Sequence, residues 1–210
     1  MMKPLVLSVM LLAAPAFAND ASVDQPPQPT PEEGMTLQAD DRVLGADDAA
    51  DELVIYASVT CGHCGAWFTE EWPVLKDELV ETGKLRVALR EFPTPPHEVA
   101  MVGFMIAGCG NKESWYPALE AQFEGQEETF AALRDGKGQE RFTELGKVAG
   151  LESAEEVEAC FTQTDVARAI ETNIRRGLAA DIDGVPAFFL NGEKMGGKHS
   201  AADIAAAIAE

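Results

Sequence analysis

Cys61-Gly62-His63-Cys64 carries the clearest chemistry in this chain, because of what flanks it. Upstream, Leu53-Val54-Ile55-Tyr56-Ala57-Ser58 is a short apolar, aromatic and β-branched run that reads as a buried strand. Downstream, Trp67, Phe68, Trp72, Leu75 and Leu79 recur at helical spacing. The cysteines therefore stand where a strand passes into a helix N-terminus. The helix dipole and unpaired backbone N–H groups favour a thiolate there, and His63 adds to the effect. The plainer reading of His63 is a solvent-facing helix residue. Residues i and i+3 at a helix start lie roughly 5–6 Å apart, within the Cα separation a disulfide tolerates. Cys61 and Cys64 can thus cycle between dithiol and disulfide with little backbone movement, which makes them a candidate redox site.

The compartment decides how such a pair works. Residues 1–18 hold Lys3, then the apolar run Pro4–Leu12, then Ala16-Phe17-Ala18 before Asn19. A positive start, a short apolar run and a small-x-small end read as a secretory signal cleaved after Ala18, with an uncleaved anchor as the alternative. No later stretch reaches the 18 to 20 apolar residues a membrane span requires. The expected location is an oxidising space outside the cytoplasm, where disulfides persist.

With 46 % hydrophobic and 25 % charged residues, the composition is that of a globular chain long enough for one domain. A net charge of −20 argues against nucleic acid or anionic lipid as a partner, and solubility explains it most simply. The four cysteines favour complete pairing, although sequence leaves the connectivity open. Cys61–Cys64 is expected by spacing and Cys109–Cys160 by elimination, with two buried free thiols as the alternative for the second pair. Both Cys109 and Cys160 sit in apolar helical contexts, so a bridge between them would be structural, worth about 4 kcal/mol on a loop-entropy model.

The elements that must position the redox pair follow from patterning. Residues 19–40 contain Pro26, Pro27, Pro29 and Pro31 with several acids and few large apolar side chains, and read as a disordered, extended linker. From residue 41 the pattern is globular, with a short edge strand near Arg42–Leu44 and the strand at 53–58. Pro73 should break the following helix near Glu71–Trp72. That helix should end near Gly83, and Leu85–Phe92 reads as a second buried strand. His97 to about Ala180 is helical text, with segments near 113–123, 139–149, 154–162 and 165–180. In the last, Ile170, Ile174 and Leu178 form an apolar stripe. Ala187–Leu190 is strand again, and Asn191-Gly192 predicts a hairpin with Glu193–Gly196 pairing back. A final helix starts near Ser200. The strands on either side of the helical block must pair with each other, since neither half has enough to stand alone.

On these residues the chain resembles the thioredoxin superfamily, and within it the periplasmic DsbA-type thiol:disulfide oxidoreductases. The likeness rests on Tyr56-Ala57-Ser58-Val59-Thr60-Cys61-Gly62-His63-Cys64, Thr82-Gly83-Lys84-Leu85-Arg86, Arg90-Glu91-Phe92-Pro93 and Gly184-Val185-Pro186-Ala187-Phe188, and spans residues 41–210. It implies an α/β, thioredoxin-like fold with a helical insertion (about 97–164) between a βαβ half and a ββα half. It implies a cis Val185–Pro186 bond packed against Cys61–Cys64, leaving the Val185 backbone free to pair with an extended substrate. A trans proline opening an edge strand is the alternative. The family also has a cysteine pair where Cys109 and Cys160 stand. Two departures matter. The family often has Pro-His between the cysteines, whereas Gly62-His63 is the pair found in protein disulfide isomerases. The two families' potentials are roughly −120 and −180 mV, so a milder oxidant is expected. Many members also carry a buried acid six residues before the first cysteine, where this chain has Ile55.

The function implied is oxidation of reduced or unfolded exported proteins in the periplasm, with Cys61, Cys64 and His63 catalytic and Val185 and Pro186 contacting substrate. A quinone-linked membrane partner of the DsbB type would reoxidise the pair, and no cofactor is expected. The alternatives are a reductase or isomerase of the same fold, a holdase or adaptor without redox turnover, and a periplasmic protein binding Cu(I) or Zn(II) through Cys61, His63 and Cys64. No second C-x-x-C or H-x3-H completes a metal site, so none is assigned. His97 and His199 read as surface residues.

Overall fold

The central strand β2 (Asp51–Ala57) is buried from Leu53 onward, so every side chain from there must find a partner on one face of the sheet or the other. In this computed structural model, which describes residues 27–196 and 199–208, β2 lies between β3 (Leu85–Glu91) and β4 (Ala187–Leu190). The sheet order is β1-β3-β2-β4-β5, with β1 at Val43–Leu44 and β5 at Glu193–Lys194. Among the described residues only β2 and β3 run parallel, with Ile55 opposite Leu89 and Ala57 opposite Glu91. Leu53, Ile55 and Ala57 face the main core, while Val54 and Tyr56 face a smaller cluster with Ala180, Ile182 and Phe189.

The helix after Cys61 breaks where Pro73 demands it. It comprises α2 (Gly62–Glu70), α3 (Trp72–Leu75) with Pro73 in its first turn, and a π-helical turn over Lys76–Val80. Between β3 and β4 run α4 (His97–Cys109), α5 (Trp115–Glu124), α6 (Gln126–Arg134), α7 (Gly138–Val148), α8 (Ala154–Cys160) and α9 (Thr164–Ala179). The helix α6 was absent from the sequence expectation. Its polar start, Gln126-Glu127-Glu128-Thr129, hides the helical period. Stacked rings fasten this block to the half that holds Cys61 and Cys64: Phe68 on Phe123 at 4.0 Å between centroids, and Trp72 on Tyr116 at 5.8 Å. A Cys109–Cys160 disulfide joins the ends of α4 and α8. The hairpin turns on Asn191 and Gly192, both at positive φ, and α10 (Ala201–Ile208) closes the chain.

Two expectations need correction. Residues 30–40 are not an extended linker. Thr30 caps α1 (Pro31–Met35) in a capping box with Glu33. The segment is fastened by its backbone as well as by Met35 and Leu37, which pack against the smaller cluster. Arg90 on β3, fully buried, donates to the carbonyls of Glu33, Gly34 and Thr36 and to the Tyr56 hydroxyl, and pairs with Asp41 at 2.6 Å. Tyr56 in turn donates to Gly34 O. Residues 19–26 and the signal expected over 1–18 lie outside the described residues. Secondly, the stripe on α9 fails at its end. Ile170 is buried but Leu178 is 62 % exposed, because Gly177 gives the helix its close approach to Phe92 and Tyr56.

Replacing Arg90 by Leu would take the buried counter-charge from the Asp41 carboxylate and the donor from the Glu33 carbonyl, leaving Gly34 O to Tyr56 alone. The expected loss is about 3–5 kcal/mol of folding free energy, read from denaturant midpoints.

Candidate active site

The strand β2 ends at Ala57, and Ser58-Val59-Thr60 carries the chain over to Cys61, which occupies the N-cap position of α2 in extended conformation. Cys61 is half-buried and Cys64, one turn on, is fully buried; both are free thiols in this structure. The difference in burial sets their chemistry. Cys61 is held down at about 6, first by a hydrogen bond from the Cys64 thiol, then against a desolvation cost by the backbone N–H groups of Cys64 and His63. Cys64 is pushed far up by burial and by its interaction as a protonated donor with the Cys61 sulfur, although Ser58 N–H points at its sulfur from 3.5 Å. One sulfur holds a charge and the other a proton.

The expected role of His63 shrinks. Its side chain is exposed on the outer face of α2, and its charge favours the Cys61 thiolate less than the neighbouring hydrogen-bond donors do. The acidity comes mainly from the neighbouring thiol and the helix terminus.

The chain's second half completes the site. The Val185–Pro186 bond is cis, and Val185 O lies 3.3 Å from Cys61 Sγ, 124 positions away in sequence. That carbonyl accepts from the Cys61 thiol and has nothing to accept from the thiolate. The loop is placed by the register of β4 on β2, with Ala187 opposite Tyr56 and Phe188 opposite Ile55. Beneath Cys61, Ser58 and Thr60 share a hydroxyl contact at 3.0 Å. Thr60 donates to Thr94 O, and Thr94 N–H donates back to Ser58 Oγ. This tie runs to the loop after β3, which holds a second cis bond at Pro95–Pro96.

Several residues escaped sequence reasoning. Gln126 at the start of α6 donates through Nε2 to Val59 O at 2.8 Å and Cys61 O at 3.2 Å. Ile55 is a fully buried core residue, as its type requires, and the buried acid nearby is Glu91, opposite Ala57 on β3. Burial pushes its carboxyl up; Asn173 donates to Oε2, and Oε1 has no hydrogen-bond partner. His199, expected at the surface, is half-buried against Phe188, and burial lowers its pKa; His97 is exposed. Among the described residues no three His, Cys, Asp or Glu side chains are placed to hold a metal ion, and no helix is long and apolar enough to cross a membrane.

A parallel strand–helix–strand unit, a hairpin–helix unit and a cis-proline loop facing a helix-capping cysteine define a thioredoxin-type fold. The chain belongs to the thioredoxin family: a family model described as Thioredoxin matches residues 38–210. A Rickettsia conorii protein named as a protein-disulfide oxidoreductase is 27 % identical over 165 residues, covering 77 % of this chain and 58 % of the relative. A similarly named Rickettsia bellii protein is 25 % identical over 157 residues, covering 74 % and 59 %. The chain thus spans less than two thirds of the length of these relatives. Among solved structures, Wolbachia pipientis alpha-DsbA1 matches with a TM-score of 0.73 at 21 % identity, over 86 % of this chain and 94 % of that one. Bacillus subtilis BdbD matches at 0.67 and 16 %, over 80 % and 91 %. The fold is of the DsbA type, with the helical insertion between its two halves.

If the Cys64 thiol is the main support of the Cys61 thiolate, Cys64→Ala should raise the Cys61 pKa well above about 6. His63→Ala should raise it by less. The pH dependence of alkylation at Cys61 measures both.

Proposed function

We propose that this chain is a periplasmic thiol:disulfide oxidoreductase that introduces disulfides into reduced or unfolded exported proteins through Cys61 and Cys64. The observation that carries the reading is the pairing of a half-buried, acidic Cys61 with a buried, protonated Cys64 beside the Val185 backbone.

The cycle begins with the Cys61–Cys64 disulfide. A substrate thiolate attacks Cys61 Sγ, the only one of the two sulfurs with exposure; the S–S bond breaks, and Cys64 leaves with the electron pair and takes up a proton. The mixed disulfide joins substrate to Cys61. Val185, ahead of the cis proline, offers backbone groups against which the extended substrate chain pairs. A second substrate thiolate then attacks the substrate sulfur of the mixed disulfide. A substrate disulfide forms, and Cys61 departs as a thiolate stabilised by the Cys64 thiol and the first N–H groups of α2. Substrate has lost two electrons and the pair has gained them. Because the leaving Cys61 is acidic, the reduced state is favoured and the disulfide oxidises. A quinone-linked membrane protein of the DsbB type would reoxidise the pair.

The same fold serves reductases and isomerases, and Gly62-His63 together with a solved neighbour named as a protein-disulfide isomerase, from Novosphingobium aromaticivorans, keeps that reading as the second one. The potential separates them. Equilibration with glutathione should give a value in the range of roughly −120 to −180 mV; a value near about −270 mV would mark a reductase. Cys61→Ser should abolish oxidation of a reduced peptide, and undiminished turnover in that variant would overturn the assignment.

A further inference from the structure

One side chain of the helical insertion reaches the backbone of the redox loop. Gln126 Nε2 donates to Val59 O and Cys61 O, on either side of Thr60. Room for it depends on Gly65, since a Cβ there would stand 2.9 Å from Gln126 Oε1 and 3.2 Å from its Cδ. Gln122, four residues earlier and buried, ties α5 to α4 by donating to Gly103 O at 3.0 Å. Both amides line a small cavity with Val59, Thr60, Phe130 and Phe142. An amide with two donors, fitted to two loop carbonyls through a gap left by a glycine, is a built contact between insertion and redox loop.

We propose that Gln126 is a positioning residue, a clamp by which the helical insertion holds the first turn of α2 beneath Cys61 and thereby tunes the redox equilibrium of the Cys61–Cys64 pair. The proposal rests on the thiol:disulfide reading above. The carbonyl of Cys61 accepts from Gly65 N–H at 3.0 Å as well as from Gln126, so the amide acts on the first hydrogen-bonded turn of the helix. Fixing that carbonyl fixes the peptide units that follow it, whose N–H groups at His63 and Cys64 turn back toward the Cys61 sulfur. Gln126 touches neither reacting sulfur. Its effect is exerted through backbone orientation, which a thiolate feels more than a disulfide because only the thiolate needs those donors.

Two variants remove the clamp by independent routes. Gln126→Leu deletes the amide at similar size. Gly65→Ala leaves the amide in place but displaces it with a Cβ, and alanine favours the helix over glycine. The readouts, taken on the full chain, are the equilibrium constant with glutathione and the pH at which Cys61 ionises. Each variant should move the equilibrium toward the disulfide form by at least threefold and raise the Cys61 pKa in step, with turnover retained. An unchanged equilibrium in both variants, with an acidic Cys61 in the parent, overturns the clamp and leaves the thiol:disulfide reading standing. A parent Cys61 that titrates as an ordinary thiol overturns that reading and the clamp together. Should Gln126→Leu fail to fold, the equilibrium constant of Gly65→Ala decides alone.

Discussion

The support that a buried neighbouring thiol and a helix N-terminus give to one half-buried sulfur is the constraint on which this molecule's chemistry turns. It works only while the two sulfurs differ in burial. Cys64 is sealed within the main core, where ionisation is costly, and Cys61 caps α2, where donors converge and solvent has access. Were both equally exposed, neither would be set apart as the leaving thiolate, and the pair would behave as two ordinary thiols.

Much of the fold maintains that difference. The buried strand β2 delivers Cys61 to the sheet's C-terminal edge, and the antiparallel pairing of β4 with β2 brings the Val185–Pro186 loop against it from the far end of the chain. The insertion covers the other side of α2 and α3 through the Phe68–Phe123 and Trp72–Tyr116 stacks. Its own Cys109–Cys160 disulfide ties two helix ends together, apart from Cys61 and Cys64. On the opposite face of the sheet, Arg90 gathers the carbonyls of residues 33–36 around Tyr56, so a segment with few apolar side chains is still part of the structure.

Local chemistry was readable in the sequence wherever a single residue imposes it. Pro73 breaks the helix at Glu71, Asn191-Gly192 turns the hairpin, and a continuous apolar run becomes the buried centre of the sheet. The cis bond at Val185–Pro186 came from the family resemblance, since spacing alone leaves it undetermined. What escaped was long-range or polar. The α1 segment looked like a linker because its anchors are backbone carbonyls answering one arginine on β3, although Thr30 and Glu33 already spelled a capping box. The α6 helix was missed because its first turn is polar, and with it Gln126. The acidity of Cys61 was read from the helix terminus with His63 adding to it, and both contribute; what escaped was the larger support from the second cysteine, whose burial no local pattern reports.

The most direct measurement is the stability of the reduced protein relative to the oxidised protein as a function of pH. Cys61 ionises at about 6 when folded, below the value of about 8.5 for a free thiol. Its stabilising contribution to the reduced form is therefore full above the unfolded value and is lost as pH falls through about 6. The account predicts that the reduced form is the more stable one at neutral and mildly alkaline pH, with an advantage that fades below that point. A disulfide form that is the more stable of the two, by an amount independent of pH across this range, would contradict it.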